Sequence, residues 1–543
     1  MHAGPRWYRV DAPLPSPKAP VKHLLQLLFL PLVLASGVAA QTVTVRLAHK
    51  AADGPITGRL LLMLSRTERF RPGENGTPIF GIDVRELAPG QAATIGPGAL
   101  GHPVRSLAQI PAGEYWAQAY LHVYTTFERA DGHTVLLPMD RGEGQRWRRS
   151  PGNLFSQPTK IQFDPNADEP IELTLDQVIP PIEPPADTAW VKRVRIESAL
   201  LTTFWGRPMH IGATVLLPRD FEAEPDRRYP VVYMQGHFSS RPPRGFGRGG
   251  EFDRYWKSDA APKLILVTFQ HANPYYDDSY AVNSANLGPY GDAIVQELIP
   301  EVERRFRAIG TPHGRVLTGG STGGWIAAAM QVLYPDFFGG CWSFFPDQLD
   351  FRNYQIVNIL ADENAYYLEH EWSRVARPGK RRTDGNVDYT MEQENLLEEV
   401  IGTRYRSGGQ WAIWNAVFAP VAEDGYPRPI WDPMTGVIDH EVAEWARDHY
   451  DLRHILESRW SELGPRLVGK LHLYVGRMDN YYLEGGVYRM EEFLERTEAP
   501  HYGGVVEYGP RGGHGWSPFE GEELLEELAR HMERELERAG TGQ

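Results

Sequence analysis

Leu317-Thr-Gly-Gly-Ser-Thr-Gly-Gly-Trp325 sets one serine among four glycines, between a short β-branched run and a long apolar one. Arg315-Val-Leu-Thr318 ahead of it reads as a strand, and the segment from about Thr322 through Ala327-Ala-Ala-Met-Gln-Val-Leu333 reads as a helix. Within it, Gly319-Gly-Ser-Thr-Gly323 has the pattern G-x-S-x-G of a sharp strand-to-helix turn. Small neighbours are needed there because a side chain beside the serine would collide with adjoining backbone, while the strain lifts the hydroxyl above the sheet. The five residues alone do not separate such a turn from a flexible glycine loop; a strand and a helix on the correct sides favour the turn.

Outward from this point the chain alternates strands and helices. Ile211-Gly-Ala-Thr-Val-Leu-Leu-Pro218, Tyr229-Pro-Val-Val-Tyr-Met234 and Lys263-Leu-Ile-Leu-Val-Thr-Phe269 read as strands, followed by a helix with Ile294, Leu298, Val302 and Phe306 at four-residue spacing. Alternation of this kind predicts a mainly parallel sheet covered on both faces, with chemistry at the carboxyl ends of its strands. From about residue 361 to 460 the alternation lapses into helical and loop sequence rich in aromatics, predicting an insertion over the sheet. Lys470-Leu-His-Leu-Tyr-Val475 resumes the pattern, and Leu524, Leu525, Leu528, Met532 and Leu536 mark a final amphipathic helix.

The preceding part differs in texture. Thr42-Val-Thr-Val-Arg-Leu47, Arg59-Leu-Leu-Leu-Met-Leu64, Tyr115-Trp-Ala-Gln-Ala-Tyr-Leu-His-Val-Tyr124 and Ile171-Glu-Leu-Thr-Leu175 are strand-like, and no long helix is evident. The expectation for residues 41–177 is an antiparallel β-sandwich of immunoglobulin size, joined by a stiff proline-rich linker at 178–192 to an α/β domain spanning 193–543. Residues 22–40, a cationic flank, an apolar run and small residues ending Val38-Ala39-Ala40, read as a secretory signal cut before Gln41.

At 543 residues the chain is too long for one ordinary core. Its 42% hydrophobic and 23% charged content is globular, and a net charge of −14 without a large basic cluster argues against nucleic acid as a partner. Cys341 is the single cysteine, which excludes an internal disulfide, and its apolar surroundings read as burial. A periplasmic or secreted location is expected, with no stable membrane insertion after signal cleavage.

A serine hydroxyl becomes a competent nucleophile when a base removes its proton, so Ser321 calls for a histidine and an orienting carboxylate. At such a turn the three follow in the order serine, acid, histidine. Asp479 stands just beyond the last apolar strand, and His514 lies in the glycine-rich loop Gly509-Pro-Arg-Gly-Gly-His-Gly-Trp516 before the final helix. Asp448 and Asp451 read as helix caps, His472 as part of a strand, His501 as a turn residue and His531 as part of the last helix. Backbone donors for a tetrahedral oxyanion are expected from Thr322, after the serine, and from the loop Gln235-Gly-His-Phe238, where His237 is the first choice and Phe238 the next.

With Tyr229-Pro-Val-Val-Tyr233, Glu297-Leu-Ile-Pro-Glu-Val302, Gly319-Gly-Ser-Thr-Gly-Gly324, Tyr334-Pro-Asp-Phe-Phe338 and Gly513-His514, the chain from about 196 to 538 resembles the esterase D family of α/β-hydrolases. That group includes enterochelin esterase-like enzymes, feruloyl esterases, S-formylglutathione hydrolases and mycolyltransferases. The resemblance implies Ser321 as nucleophile, His514 as general base and Asp479 as its orienting acid. Three departures stand out. Gln235-Gly236 replaces the usual His-Gly, Thr322 replaces a common methionine, and the interval from Ser321 to Asp479 is longer than the family core requires.

The resulting expectation is an exported serine hydrolase that cleaves carboxylic esters, free or polymer-borne, through an acyl-enzyme on Ser321, with no metal and no organic cofactor. An acyltransferase using the same three residues is the alternative, and a catalytically inactive binding protein is a third class. Asp164-Pro-Asn-Ala-Asp168 lacks the glycine and glutamate of a calcium loop and reads as a hairpin turn. Arg377 to Arg382 reads as a solvated basic loop, and Trp411, Trp414, Trp431 and Trp445 mainly as core.

Overall fold

The architecture follows a computed structural model that describes residues 41–540; the signal reading at 1–40 lies outside the described residues. Eight strands form the main sheet. They are β1 (Val191–Glu197), β2 (His210–Leu216), β3 (Val231–Gln235), β4 (Ile265–Gln270), β5 (Arg315–Gly320), β6 (Cys341–Phe344), β7 (Leu471–Gly476) and β8 (Val505–Gly509). Their spatial order is β1-β2-β4-β3-β5-β6-β7-β8. Strands β3 to β8 are parallel where they pair, and β2 runs antiparallel to both β1 and β4. The order reverses between β3 and β5, because the chain leaves β3 for β4 on one side and returns to β5 on the other. The switch lies between β3 and β5, and the carboxyl ends of strands at such a point are where a parallel sheet receives ligands.

Helix α1 (Thr322–Leu333) follows β5 directly, and α7 (Glu523–Arg538) closes the chain, both as the apolar spacing predicts. In α1 nearly every side chain is buried, which suits a helix pressed against the centre of the sheet. The expected helix with Ile294 and Leu298 forms in three pieces, Tyr290–Ala293, a π-helical Ile294–Leu298 and Ile299–Arg305. Pro300 has no N–H to donate to the preceding turn, and the helix widens just ahead of it.

Residues 345–470, between β6 and β7, differ from the predicted helical insertion. They contain α2 (Met391–Ile401), α3 (Gln410–Phe418), α4 (His440–Tyr450) and α5 (Leu452–Leu467), but also two antiparallel hairpins. One pairs Tyr367–His370 with Ser373–Ala376, and the other pairs Pro378–Arg381 with Val387–Thr390. The turn of the second holds Asp384-Gly385 with Gly385 at φ 88°, a conformation that favours glycine and a recognised hairpin signal. The expected basic loop lies on this hairpin and is not solvated throughout. Arg377 is buried against Asp362, and Arg381 pairs with Glu484.

The strands expected before the main sheet are present and form two sheets. One has the order Ile171–Leu175, Val43–Leu47, Ala92–Ile95, with the first pair parallel rather than antiparallel. The other is centred on Gly113–Val123 and Ile56–Ser65. Alternate residues of both, among them Val43, Val45, Leu60, Leu62 and Leu121, share one hydrophobic cluster. The opposite face of the larger sheet, with Leu61, Met63 and Tyr120, packs on Leu397 and Val400 of α2. Arg59 adds polar ties there, donating to the carbonyl of Val400 at 2.9 Å and pairing with Asp83 at 3.0 Å. A short hairpin, Thr125–Glu128 with Thr134–Leu137, sends Phe127, Val135 and Leu137 into the core of the main sheet. The described residues 41–540 form one compact unit.

Strand β5 is anchored at its start by a buried ion pair. Arg315 grips Glu303 of the preceding helix with two bonds of 2.7 and 2.8 Å, and Tyr233 of β3 donates to the same carboxylate at 2.9 Å. Removing one partner leaves a buried charge alone, which costs about 3–5 kcal/mol. Glu303→Ala is therefore expected to lower the unfolding free energy by that amount in urea titration, and a loss below about 1 kcal/mol would contradict the anchoring role.

Candidate active site

The carboxyl ends of β3 and β5 lie side by side, with Gln235 opposite Gly319. Ser321 follows β5 at φ 58° and ψ −125°, a left-handed backbone that a non-glycine residue adopts only under restraint. Two glycines make the turn possible. A Cβ on Gly323 would sit 2.3 Å from the carbonyl oxygen of Gln235, and one on Gly319 would sit 2.5 Å from that of Gly323. The turn is held from the other side by β6, since Ser321 N–H donates to the carbonyl of Phe344 at 3.0 Å. The glycine-rich stretch is thus a fixed elbow between three strands.

Asp479 lies after β7, where the sequence reading puts it, and is fully buried. Its Oδ2 is 2.8 Å from His514 Nδ1, and its Oδ1 accepts the N–H of Tyr481 at 2.8 Å. The loop of His514 is itself fixed, because its N–H donates to Asn480 Oδ1 at 2.8 Å. The ring of His514 meets Phe345 and Tyr481 edge-on, at 4.7 and 4.9 Å between centroids. The second hairpin of the insertion braces this corner: Arg381 Nε donates to the Asp479 carbonyl at 3.0 Å and Asn480 Nδ2 to the Arg381 carbonyl at 2.7 Å.

Ser321 and His514 are not hydrogen-bonded to each other among the described residues. Instead Ser321 Oγ donates to Asp347 Oδ1 at 3.4 Å. Asp347, in the loop after β6, is a residue that sequence reasoning missed, because no motif marks it. Its Oδ2 takes bonds from Tyr280 Oη, Thr322 Oγ1 at 3.0 Å and Trp414 Nε1 at 3.3 Å. Burial raises its carboxyl above the ordinary range, opposed by the hydrogen bonds from Tyr280 and Thr322 and by the fields of His514 and His237. Phe345 was likewise unforeseen; its ring fills the space beside Gly320 and reaches His514.

Of the two expected oxyanion donors, Thr322 opens α1, where the first N–H groups have no acceptor within the helix. Neither its N–H nor that of His237 has an acceptor among the described residues. The side chain of His237 carries a further feature. Its Nδ1 lies 3.1 Å from Asp277 Oδ1 and 3.0 Å from Asp278 Oδ2, and these three donor atoms are grouped closely enough to hold a metal ion. The three side chains are bonded to one another as they stand.

A strained serine and an Asp–His pair, its aspartate buried, stand at the carboxyl edge of the sheet. Residues 205–422 match the model of the Esterase family, described as putative esterase. The match supports a hydrolase acting on esters with an α/β-hydrolase fold. The match runs from the end of the helix before β2 into the insertion, and so contains Ser321, Thr322 and His237 but neither Asp479 nor His514. Solved structures similar to the chain include a ferulic acid esterase, 17% identical, covering 63% of this chain and 96% of that one, with a TM-score of 0.36. FphF, a fluorophosphonate-binding serine hydrolase of Staphylococcus aureus, is 16% identical over 63% and 98%, with a TM-score of 0.36. An S-formylglutathione hydrolase from Agrobacterium tumefaciens is 14% identical over 65% and 97%, with a TM-score of 0.35. No curated protein matches the chain.

The two carboxylates on His237 also provide a test of the geometry. Burial pulls its pKa down, but the bonds to Asp277 and Asp278 outweigh this and raise it to about 11, while burial pushes Asp278 up to about 6. Both shifts mean that the folded state holds protons more tightly than the unfolded one, so stability falls as pH rises. The histidine contribution is fully present below its unfolded value of about 6.5 and is lost as pH climbs through about 11. Urea midpoints measured from pH 7 to 11 are expected to fall more steeply for the parent than for His237→Gln, and equal slopes would contradict the ion-paired ring.

Proposed function

We propose that the protein is an exported serine esterase in which Ser321 carries the acyl group, His514 moves the proton and Asp479 orients the imidazole. The observation that carries this reading is the strained Ser321 at the switch point of the sheet, with His514 held by the buried Asp479 at nearby strand ends. Because Asp479 accepts from Nδ1, that nitrogen holds the proton and Nε2 is left as the base. Hydrogen bonds of this kind tighten when substrate enters, so the contact of Ser321 with Asp347 is the resting arrangement.

In the proposed cycle Ser321 Oγ bonds to the carbonyl carbon as its proton passes to His514 Nε2. The backbone N–H groups of Thr322 and His237 receive the charge that develops on the carbonyl oxygen. The bond to the alcohol then breaks, His514 returns the proton to the leaving oxygen, and a water molecule activated by His514 releases the acid. Residues 41–177 are proposed as an accessory β-sandwich that backs the insertion rather than as part of the chemistry. Export through the leader 1–40 rests on the sequence pattern, and a mature protein beginning at Gln41 is its test. No helix among the described residues is long and apolar enough to cross a membrane.

Turnover of p-nitrophenyl acetate by Ser321→Ala is expected to fall by about three orders of magnitude or more, as is its labelling by a fluorophosphonate, while the protein folds normally. Asp479→Asn retains the nucleophile but favours the wrong tautomer of His514, with an expected loss of kcat of about 10⁴. Undiminished hydrolysis by Ser321→Ala would sink the assignment.

A further inference from the structure

The two proposed oxyanion donors belong to different segments, and one buried stretch of chain connects them. Residues 278–281, in the loop after β4, are inaccessible to solvent. Tyr280 and Ala281 both have left-handed backbones, at φ 57° and 50°. Two successive non-glycine residues in that region are strained, at about 1–3 kcal/mol each, and persist only where the surroundings dictate them. What the conformation achieves is to point neighbouring side chains at two separate targets.

In one direction Asp278 Oδ2 accepts from His237 Nδ1 at 3.0 Å, while its Oδ1 is fixed by the N–H of Tyr280 at 3.1 Å. Asp277 supports the same ring nitrogen at 3.1 Å. His237 needs such a hold, because it stands two residues past the end of β3 in a partly exposed loop. In the other direction Tyr280 Oη donates to Asp347 and lies 3.0 Å from Thr322 Oγ1. Asp347 in turn receives Thr322 Oγ1 and Ser321 Oγ. Gln410 and Trp414 of α3 both donate to Tyr280 Oη, so the insertion helps to hold that end.

We propose that Asp278 and Tyr280 are positioning residues that fix the two halves of the oxyanion hole against each other, Asp278 through His237 and Tyr280 through Thr322 and Asp347. This rests on the reading of Ser321 as nucleophile and of the His237 and Thr322 N–H groups as donors. Neither positioning residue touches the reacting atoms. Their effect is on aim: donors fixed before charge develops cost no reorganisation during the reaction, and donors that wander lose that advantage.

The test uses the full chain as Asp278→Asn and Tyr280→Phe, with Ser321→Ala as control. Active sites are titrated with a fluorophosphonate, and kcat per labelled site and KM are measured on p-nitrophenyl acetate. Inhibition by an aryl trifluoromethyl ketone, which binds serine as a tetrahedral oxyanion, is measured alongside. Complete loss of one donor costs about 10²–10³ in kcat, so misalignment is expected to cost about tenfold to a hundredfold. KM should stay within about twofold, and the ketone should weaken in proportion to kcat. A merely structural role would lower the number of labelled sites and leave kcat per site and ketone affinity unchanged, which would overturn the proposal. So would inactivation of the parent by EDTA with recovery on adding Ca²⁺ or Mn²⁺, since His237, Asp277 and Asp278 would then serve a cation. Full turnover by both variants beside an inert Ser321→Ala would overturn the positioning role alone; turnover by Ser321→Ala would remove the nucleophile assignment beneath it.

Discussion

The close approach of β3 and α1 at the elbow is the constraint on which the site depends. The Gln235 carbonyl occupies the space where a Cβ of Gly323 would be, so the first turn of α1 packs directly on the end of β3. That contact fixes where Ser321 emerges and where the helix start points its free N–H groups. The same end of β3 begins the loop that carries His237, so one backbone contact determines the spacing between nucleophile and both proposed donors. The buried Arg315–Glu303 pair, with Tyr233 of β3 on the same carboxylate, ties the opposite ends of β3 and β5 together. The two strands are therefore held at both ends, and the strain at Ser321 has a rigid frame to bear it.

The long interval between β6 and β7 supplies structure to the site rather than hanging beside it. Its second hairpin braces Asp479 and Asn480 through Arg381, and its helix α3 brings Gln410 and Trp414 to Tyr280. On its outer side α2 rests on the larger N-terminal sheet, where Arg59 and Arg406 converge on Asp83. A chain of packed elements thus runs from the first strands to the acid–histidine corner. Deleting residues before β1 would uncover Leu397 and Val400, which places the N-terminal sheets among the supports of the insertion.

How much of this is legible in the sequence depends on the range of the interaction. The elbow, the strand before it and the helix after it are local, and the helix expected from about Thr322 through Leu333 forms over Thr322–Leu333. Asp479 is readable because it follows an apolar strand, and His514 because it stands in a glycine-rich loop before the last helix; the structure brings the two within 2.8 Å. Asp347, Tyr280 and Asp278 carry no such mark. Their positions have meaning only once the loops after β4 and β6 and helix α3 converge, and no periodicity encodes that meeting. The hairpins at 367–376 and 378–390 lie where the sequence reads as helix and loop, although Asp384-Gly385 is a usable turn signal. Arg377 and Arg381 read as solvated because their partners, Asp362 and Glu484, are distant or unremarkable in sequence.

The buried carboxylates around the site divide the electrostatic labour unequally. In the proposed mechanism, positive charge appears on His514 and negative charge on the carbonyl oxygen. Asp479, in contact with the imidazole at Nδ1, favours the first. Asp347 is next to Ser321 and would oppose the second if its charge were bare. Desolvating a carboxylate costs several kcal/mol, and hydrogen bonds to a charged group return about 1.5–3 kcal/mol each. Tyr280, Thr322, Trp414 and Ser321 give Asp347 four donors, which return part of that cost and spread its charge away from the nucleophile, although burial still leaves the carboxyl raised. When Ser321 leaves Asp347 for His514, Oδ1 loses its donor while the three bonds to Oδ2 can remain. The resting contact is therefore the weakest of the four, and its length of 3.4 Å fits a bond made to be exchanged.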